Sequence, residues 1–443
     1  MRRGLAAILL LALCSTTLSA AERNFLVAAQ AAANWIRAAA VRTEQGTAYL
    51  ADPNDKQSVA INLYAGVPGV VLFFLEAYHS TNDATYLQDA RAGADYLVAH
   101  LAEEKEMGLY EGIAGIGFAL IETFKATRDD RYKQAAVRVT ELLKERARTV
   151  DLKPQGRRMI TGVEWNEVTD IIAGSAGTGL FLLYAAKALN DPSLKVLAAK
   201  AGARLIAAGK PEAGGMKWAM DKTFPRLMPN FSHGTAGVAY FLATLYSETK
   251  DRAFLDAALA GARYLQSVAK TDGDICMIFH NEPDGRELYY LSWCHGPAGT
   301  ARLFYRLYEV TGERRWMDWV KRSARAIMQS GIPERQTPGF WNNVSQCCGS
   351  AGVGEFFLSL YQVTGDKSYL EFTRRVTNNL LARASKEGGG LKWIQAEHRV
   401  KPDLLIAQTG FMQGAAGIGM FLLRLDAFEH GGKPLIRFPD SPF

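Results

Sequence analysis

One short pattern, repeated seven times, constrains this chain more than any other feature. It reads Gly-x-x-Gly followed by an apolar run, and its copies begin at Gly66, Gly112, Gly174, Gly234, Gly296, Gly349 and Gly414. Successive copies stand about 46 to 65 residues apart, room for two helices and two connections. The runs that follow, such as 238–246 and 353–361, are too apolar for a solvent-facing helix and read as an inner layer. Between them lie amphipathic stretches, 251–268 and 315–330 among them, as expected of an outer layer. Asn190-Asp191-Pro192, Thr311-Gly312 and Thr364-Gly365-Asp366 supply the turns between layers. β-rich runs are few, and 392–400 is the best candidate for a small strand or hairpin. The expected fold is all-α: an α/α toroid of seven helical-hairpin repeats. A glycine at each inner-helix start lets backbones approach closely and should leave helix N–H groups pointing at the toroid's centre.

The first 21 residues read as a processing segment. Arg2 and Arg3 precede an apolar stretch, Leu5 to Leu13, too short to span a membrane, and Ser19, Ala20 and Ala21 supply a cleavage site. A lipid anchor on Cys14 is disfavoured by Leu13 before it. The expectation is a signal peptide over 1–21 and one toroid domain over 22–443, soluble once processed and periplasmic or secreted. No other segment reaches ~18 uninterrupted apolar residues. Hydrophobic residues make up 48% of the chain, enough for a large core. Its 51 basic residues are interleaved with 45 acidic ones, which excludes a nucleic-acid surface.

Of five cysteines, Cys14 leaves with the signal; Cys276, Cys294, Cys347 and Cys348 remain, an even number that invites disulfides in an exported protein. Their phase in the repeat points elsewhere. Repeats one, two and seven lead into the first glycine with Tyr64-Ala65, Tyr110-Glu111 and Met412-Gln413. The middle repeats carry reactive groups instead: Asp170 four residues before Gly174, then Ser232-His233, Trp293-Cys294-His295 and Gln346-Cys347-Cys348. A closed ring brings these ends to one mouth. Zinc prefers thiolate and imidazole ligands in a tetrahedron, and catalytic sites leave one position open. Cys294, Cys347 and Cys348 would supply three thiolates to Zn2+. A Cys347–Cys348 disulfide, pairing with Cys276, or His295 as a ligand are the alternatives. Cys276 lies out of phase and reads as structural, and His79, His100, His280, His398 and His430 have no motif context.

These residues resemble the lanthionine synthetase C-like (LanC-like) family across essentially the whole mature chain. Trp293 to Gly299 is similar to that family's first zinc-ligand motif, Gln346 to Gly349 to its second ligand pair, and Ser232-His233-Gly234 to its catalytic histidine motif. Asp170 stands at its acidic position. The resemblance implies a helical toroid with one zinc at its mouth, acting on a peptide or small thiol. Zinc would bind a cysteine thiol as thiolate for addition to dehydroalanine or dehydrobutyrine. His233 would then serve as acid/base, with Asp170 orienting it or merely capping a helix. Helix N–H groups near Gly296 and Gly349 would stabilise the enolate oxygen. This chain departs from the family's usual Cys-His-Gly with Cys347-Cys348-Gly349, giving the zinc site a formal charge of about −1 rather than about 0. Two competing readings are a carbohydrate-active toroid, using Glu111 and Asp170 with Trp341 and Trp393 as sugar platforms, and a non-catalytic zinc-containing peptide binder. The extra thiolate makes the bound thiol more nucleophilic and more loosely held, so Cys348→His should slow thiol addition. An equal or faster rate in that variant refutes this.

Overall fold

The computed structural model describes residues 24–155, 158–221 and 227–443; the expected signal segment lies outside the described residues. Helix α1 (Asn24–Ala38) is followed by six hairpins: α2 (Val67–Thr81) with α3 (Ala84–His100), α4 (Ile113–Thr127) with α5 (Asp130–Glu145), and α6 (Ser175–Ala188) with α7 (Pro192–Ala208). Then come α8 (Thr235–Thr249) with α9 (Arg252–Val268), α10 (Pro297–Thr311) with α11 (Arg314–Gln329), and α12 (Ser350–Thr364) with α13 (Lys367–Ala382). The last inner helix, α14 (Ala415–Glu429), has no outer partner after it in sequence. Instead α1 packs against it, so the seventh hairpin is split between the two ends of the described chain. Even-numbered helices touch in order around the ring, and α14 returns to α2, which closes an α/α toroid.

Burial follows the two layers. In α8, Thr235 to Ala243 are all buried, whereas α9 buries one stripe that includes Phe254, Leu255 and Ala258. Five outer helices start on an aspartate whose carboxylate accepts an N–H two residues on, as Asp251 does from Ala253 at 3.0 Å. Each such cap contributes about 1 kcal/mol. Inner helices start on glycine, with no side-chain cap. Their first N–H groups bond back to the lead-in loop: Ser175 to Val168, Thr235 to Met228, Ala351 to Val344 and Ala415 to Gln408, at 2.8–3.1 Å. The first glycine is needed for this fold-back, since a Cβ on Gly234 would sit 1.6 Å from the Met228 carbonyl oxygen.

The second glycine has a different neighbour. A Cβ on Gly115 would lie 2.3 Å from the Leu109 oxygen of its own loop and 2.7 Å from Leu63 of the previous repeat. Gly237 meets Phe231 and Ile171 in the same way, and Gly299 meets Trp293 and Phe231. Removing the side chain is what lets consecutive loops stack. The loops are then joined by backbone hydrogen bonds at the second residue before the first glycine, except that repeat three accepts at Ile172 and donates from Ile171. Tyr64 N–H donates to the Tyr110 oxygen, Tyr110 to Ile172, Ile171 to Ser232, Ser232 to Cys294, Cys294 to Cys347, Cys347 to Met412, and Met412 back to Tyr64, all at 2.8–3.1 Å. Seven bonds close a circle.

Two features were not foreseen from sequence. Outer-to-inner connections carry antiparallel two-stranded hairpins, at 40–49, 148–164, 210–217 and 385–392; a further pair, Gln395–Ala396 with Leu405–Ile406, overlaps the expected 392–400 strand. Residues 433–443 also turn back among the inner helices. Glu76 of α2 accepts the Leu435 and Ile436 N–H groups, Phe438 packs on Phe118 of α4 and on Phe411, and Arg302 of α10 bonds to Asp440. Side chains from around the ring converge on this segment, so it fills the toroid's centre. Overpacking a stacked loop should be costly: Gly115→Ala is expected to lower unfolding free energy in urea by about 1–3 kcal/mol.

Candidate metal centre

The residue two before each first glycine has its backbone in the hydrogen-bonded circle, and the residue one before lies beside it. Cys294 and Cys347 occupy the circle and Cys348 the adjacent position, so three thiols from repeats five and six meet. Cys348 Sγ stands 3.4 Å from Cys294 Sγ and 3.3 Å from Cys347 Sγ, and all three sulfurs lie within 4.8 Å of one another. Each residue is at least nine-tenths buried. A tetrahedral metal with metal–sulfur bonds of ~2.3 Å requires sulfurs roughly 3.8 Å apart, and the two shorter separations here need open by only about 0.5 Å to reach it. The donor set therefore fits zinc with one position left for another ligand. The four described cysteines are free, so neither the Cys347–Cys348 disulfide nor a pairing of Cys276 is present. Cys276 is buried apart from the cluster, its thiol pushed up to about 12 by burial.

Burial opposes ionisation of Cys294, but hydrogen bonds from Cys347, Cys348, Ser292 and the His295 N–H outweigh it and hold that thiol well below the ordinary range. Hydrogen bonding to Cys294 sends Cys347 and Cys348 the other way. Two residues from outside the cysteine-bearing repeats also face the sulfurs. Tyr64 Oη donates to Cys347 Sγ at 3.4 Å, and Gln413 Nε2 lies 3.0 Å from Tyr64 Oη and 3.8 Å from Cys348 Sγ. Nothing about a tyrosine or glutamine before a glycine marks it in sequence, but both occupy the same repeat positions as the cysteines.

His233 comes from repeat four, at the position equivalent to Cys348. Its side chain keeps 30% of its exposure while its partner Asp170 keeps 1%. Asp170 Oδ2 lies 2.7 Å from His233 Nδ1, so Nδ1–H donates to the carboxylate and Nε2 is left for chemistry. Burial depresses the His233 pKa, but the hydrogen bond and charge of Asp170, helped by Cys347 and Glu111, carry it above the ordinary histidine value. The other carboxylate oxygen of Asp170 accepts the Ala173 and Gly174 N–H groups, both at 2.9 Å. Orienting a histidine and capping the loop are thus done by one side chain. Beside it, partial desolvation and the Asp170 charge raise the Glu111 pKa, although its side chain reaches solvent.

Several expectations are corrected. Of the N–H groups near Gly296 and Gly349, three are taken and so not available to an enolate: Gly296 donates to Ser292, Gly349 to Ser345 and Ala351 to Val344. The lead-in loops fold back far enough to satisfy them. His295 is outside the thiol cluster; its ring packs on His280 (4.4 Å between centroids) and Tyr290, and burial with His280 and His233 nearby holds its pKa well below the usual value. Trp341 and Trp393 are buried, with indole N–H groups bonded to the Ala396 and Leu380 carbonyls, so neither is a sugar platform. Asp170 is likewise sequestered, which removes the carboxylate pair of the carbohydrate reading.

An α/α toroid with a buried trithiol and a carboxylate-held histidine at one mouth is a recognisable class of site. A sequence profile of lanthionine synthetase C-like proteins matches residues 57–430, and the chain belongs to that family. Nisin cyclase superposes with a TM-score of 0.63 at 18% identity, covering 95% of this chain and 96% of that one. A GH76 α-mannanase of Bacteroides thetaiotaomicron gives 0.51 at 12% identity, with 92% and 96% covered. Both likenesses are of fold. Glutathione S-transferase LANCL1 of Danio rerio is 25% identical over 140 residues, and the match spans 31% of this chain and 32% of that protein. Protein purified without added metal should hold about one zinc per chain by mass spectrometry, retained in Cys276→Ser and lost in Cys347→Ser.

Proposed function

We propose that this chain joins a thiol to the β-carbon of a dehydroamino acid residue, in the manner of a lanthionine synthetase, at a zinc held by Cys294, Cys347 and Cys348. The observation that carries the reading is the meeting of these three sulfurs on the ring that also presents the His233–Asp170 pair. When bound, zinc supplies a thiolate at neutral pH by lowering the pKa of the incoming thiol. The His233 ring lies 5.5 Å from that of His295, the residue next to Cys294, which places the imidazole beside the cluster. A carbon–sulfur bond forms, the double-bond pair moves toward the carbonyl, and the α-carbon then needs a proton. His233 Nε2 delivers it, replacing the proton the thiol gave up, so the sum is an addition without oxidation or reduction. Asp170 is the positioning residue: it fixes the ring and its tautomer and favours the imidazolium.

The substrate is a peptide carrying dehydroalanine or dehydrobutyrine, with its own cysteine or a small thiol as nucleophile. The name of the Danio rerio relative, a glutathione S-transferase, agrees with the small-thiol arm. We place the reaction outside the cytoplasm, on the strength of Arg2 to Ala21 alone. A non-catalytic binder is the competing reading, and turnover separates the two.

Zinc-loaded protein incubated with a dehydroalanine peptide and a thiol should give a product heavier by the mass of the thiol. His233→Asn should cut the rate roughly 100-fold or more with zinc content unchanged. No adduct above the uncatalysed background would sink the proposal. The pH profile gives an independent check. Asp170 keeps His233 protonated to higher pH, so in Asp170→Asn the rate should fall off at lower pH than in the parent; an unmoved limb would remove Asp170 from the mechanism.

A further inference from the structure

Three thiolates carry one more negative charge than a two-thiolate, one-histidine set, and in a buried site that excess must be met by nearby donors. Cys294 has Ser292 Oγ at 3.8 Å and the His295 N–H. Cys347 and Cys348 have neutral donors that come from the far side of the circle's closure, Tyr64 of repeat one and Gln413 of repeat seven. The orientation of the Gln413 amide is set by its neighbours. Its Oε1 accepts from Asn343 Nδ2 at 3.2 Å and Gln395 Nε2 at 3.5 Å, so its NH2 must face Tyr64 and the sulfurs. Those neighbours are themselves fixed. Asn343 Oδ1 accepts from the Ser345 N–H and Oγ, and Gln395 Oε1 accepts from the Val344 N–H. Gln413 is 2% exposed, so no water competes for the amide.

We infer that Tyr64 and Gln413 are positioning residues for the metal centre. Their hydrogen bonds hold Cys347 and Cys348 in the ligand geometry and offset the charge of the third thiolate. The inference rests on the trithiol being the zinc site. It follows that position 413 selects for a neutral donor. Glutamate there has nearly the same shape but turns a donor into an anionic acceptor aimed at the Cys348 thiolate and the Tyr64 hydroxyl.

The test is zinc affinity by chelator competition on the full chain, with cobalt absorption as a second readout and thermal melting as a control for folding. Gln413→Glu is expected to weaken zinc binding roughly 10- to 100-fold, and Tyr64→Phe, which deletes one oxygen, by roughly tenfold. With cobalt in the site, Tyr64→Phe should move the sulfur-to-metal charge-transfer band to longer wavelength, because a thiolate that loses a hydrogen bond gives up its electrons more readily. A purely structural role would leave that band in place. Folded variants that bind zinc within twofold of the parent, with the band unmoved, would overturn the inference and leave the metal centre standing. If Gln413→Glu fails to fold, Tyr64→Phe decides alone by the same two readouts. A parent chain with no affinity for zinc overturns the metal centre and this inference together.

Discussion

The circle of seven backbone hydrogen bonds is the constraint on which the rest of this toroid depends. It does not depend on it for raw stability: seven such bonds contribute about 0.5–1.5 kcal/mol each, whereas burying one leucine or phenylalanine is worth about 1.5–3 kcal/mol. The inner helices bury dozens of such side chains. What the circle supplies is register. A loop that slipped by one residue would orphan a buried donor and a buried acceptor, each costing about 1–3 kcal/mol, and would turn its lead-in residues away from the mouth. Because Cys294 and Cys347 are themselves members of the circle, the spacing of the sulfurs is set by main-chain bonds rather than by the side chains of a flexible loop.

The cluster also shows why buried thiols in a protein of this kind need not become disulfides. Bonded sulfurs stand ~2.05 Å apart with a fixed torsion, whereas the Cys348 sulfur here lies 3.4 Å from that of Cys294 and 3.3 Å from that of Cys347. Access is divided accordingly. Positions one before the first glycine range from buried Cys348 and Gln413 to exposed Glu111, with His233 between them. The thiols are shielded, and the histidine can still be reached.

The seven glycine motifs made the two layers and the toroid legible, because spacing and apolar runs repeat along the chain. The phase of Cys294, Cys347, Cys348 and His233 was legible for the same reason. Other features depend on contacts between residues far apart. Asp170 could be read as a cap or as a histidine partner, and it is both, which one position in a sequence cannot express. Tyr64 and Gln413 look like ordinary polar loop residues until repeat one meets repeat seven. Trp341 and Trp393 look like rim aromatics because sequence does not reveal that their N–H groups find carbonyls in the core. The lead-in loops folding back on their own helices, which occupies several of the expected N–H groups, depends on Gly234 and its equivalents admitting a carbonyl where a Cβ would be.

The split seventh hairpin has a consequence for the order of assembly. Stacked-repeat proteins usually grow by nearest-neighbour contact, each unit docking on the one before it. Here α1 precedes its partner α14 by about 380 residues. At synthesis rates of roughly 5–20 residues per second, α1 waits roughly 20 to 75 s for the surface it covers. Four of its seven buried residues are alanines, Ala28, Ala29, Ala32 and Ala33, and Leu26, Trp35 and Ile36 are the bulky ones. The alanine stripe lets α1 seat closely once the ring is complete, while Trp35, Leu26 and Ile36 stay uncovered until then.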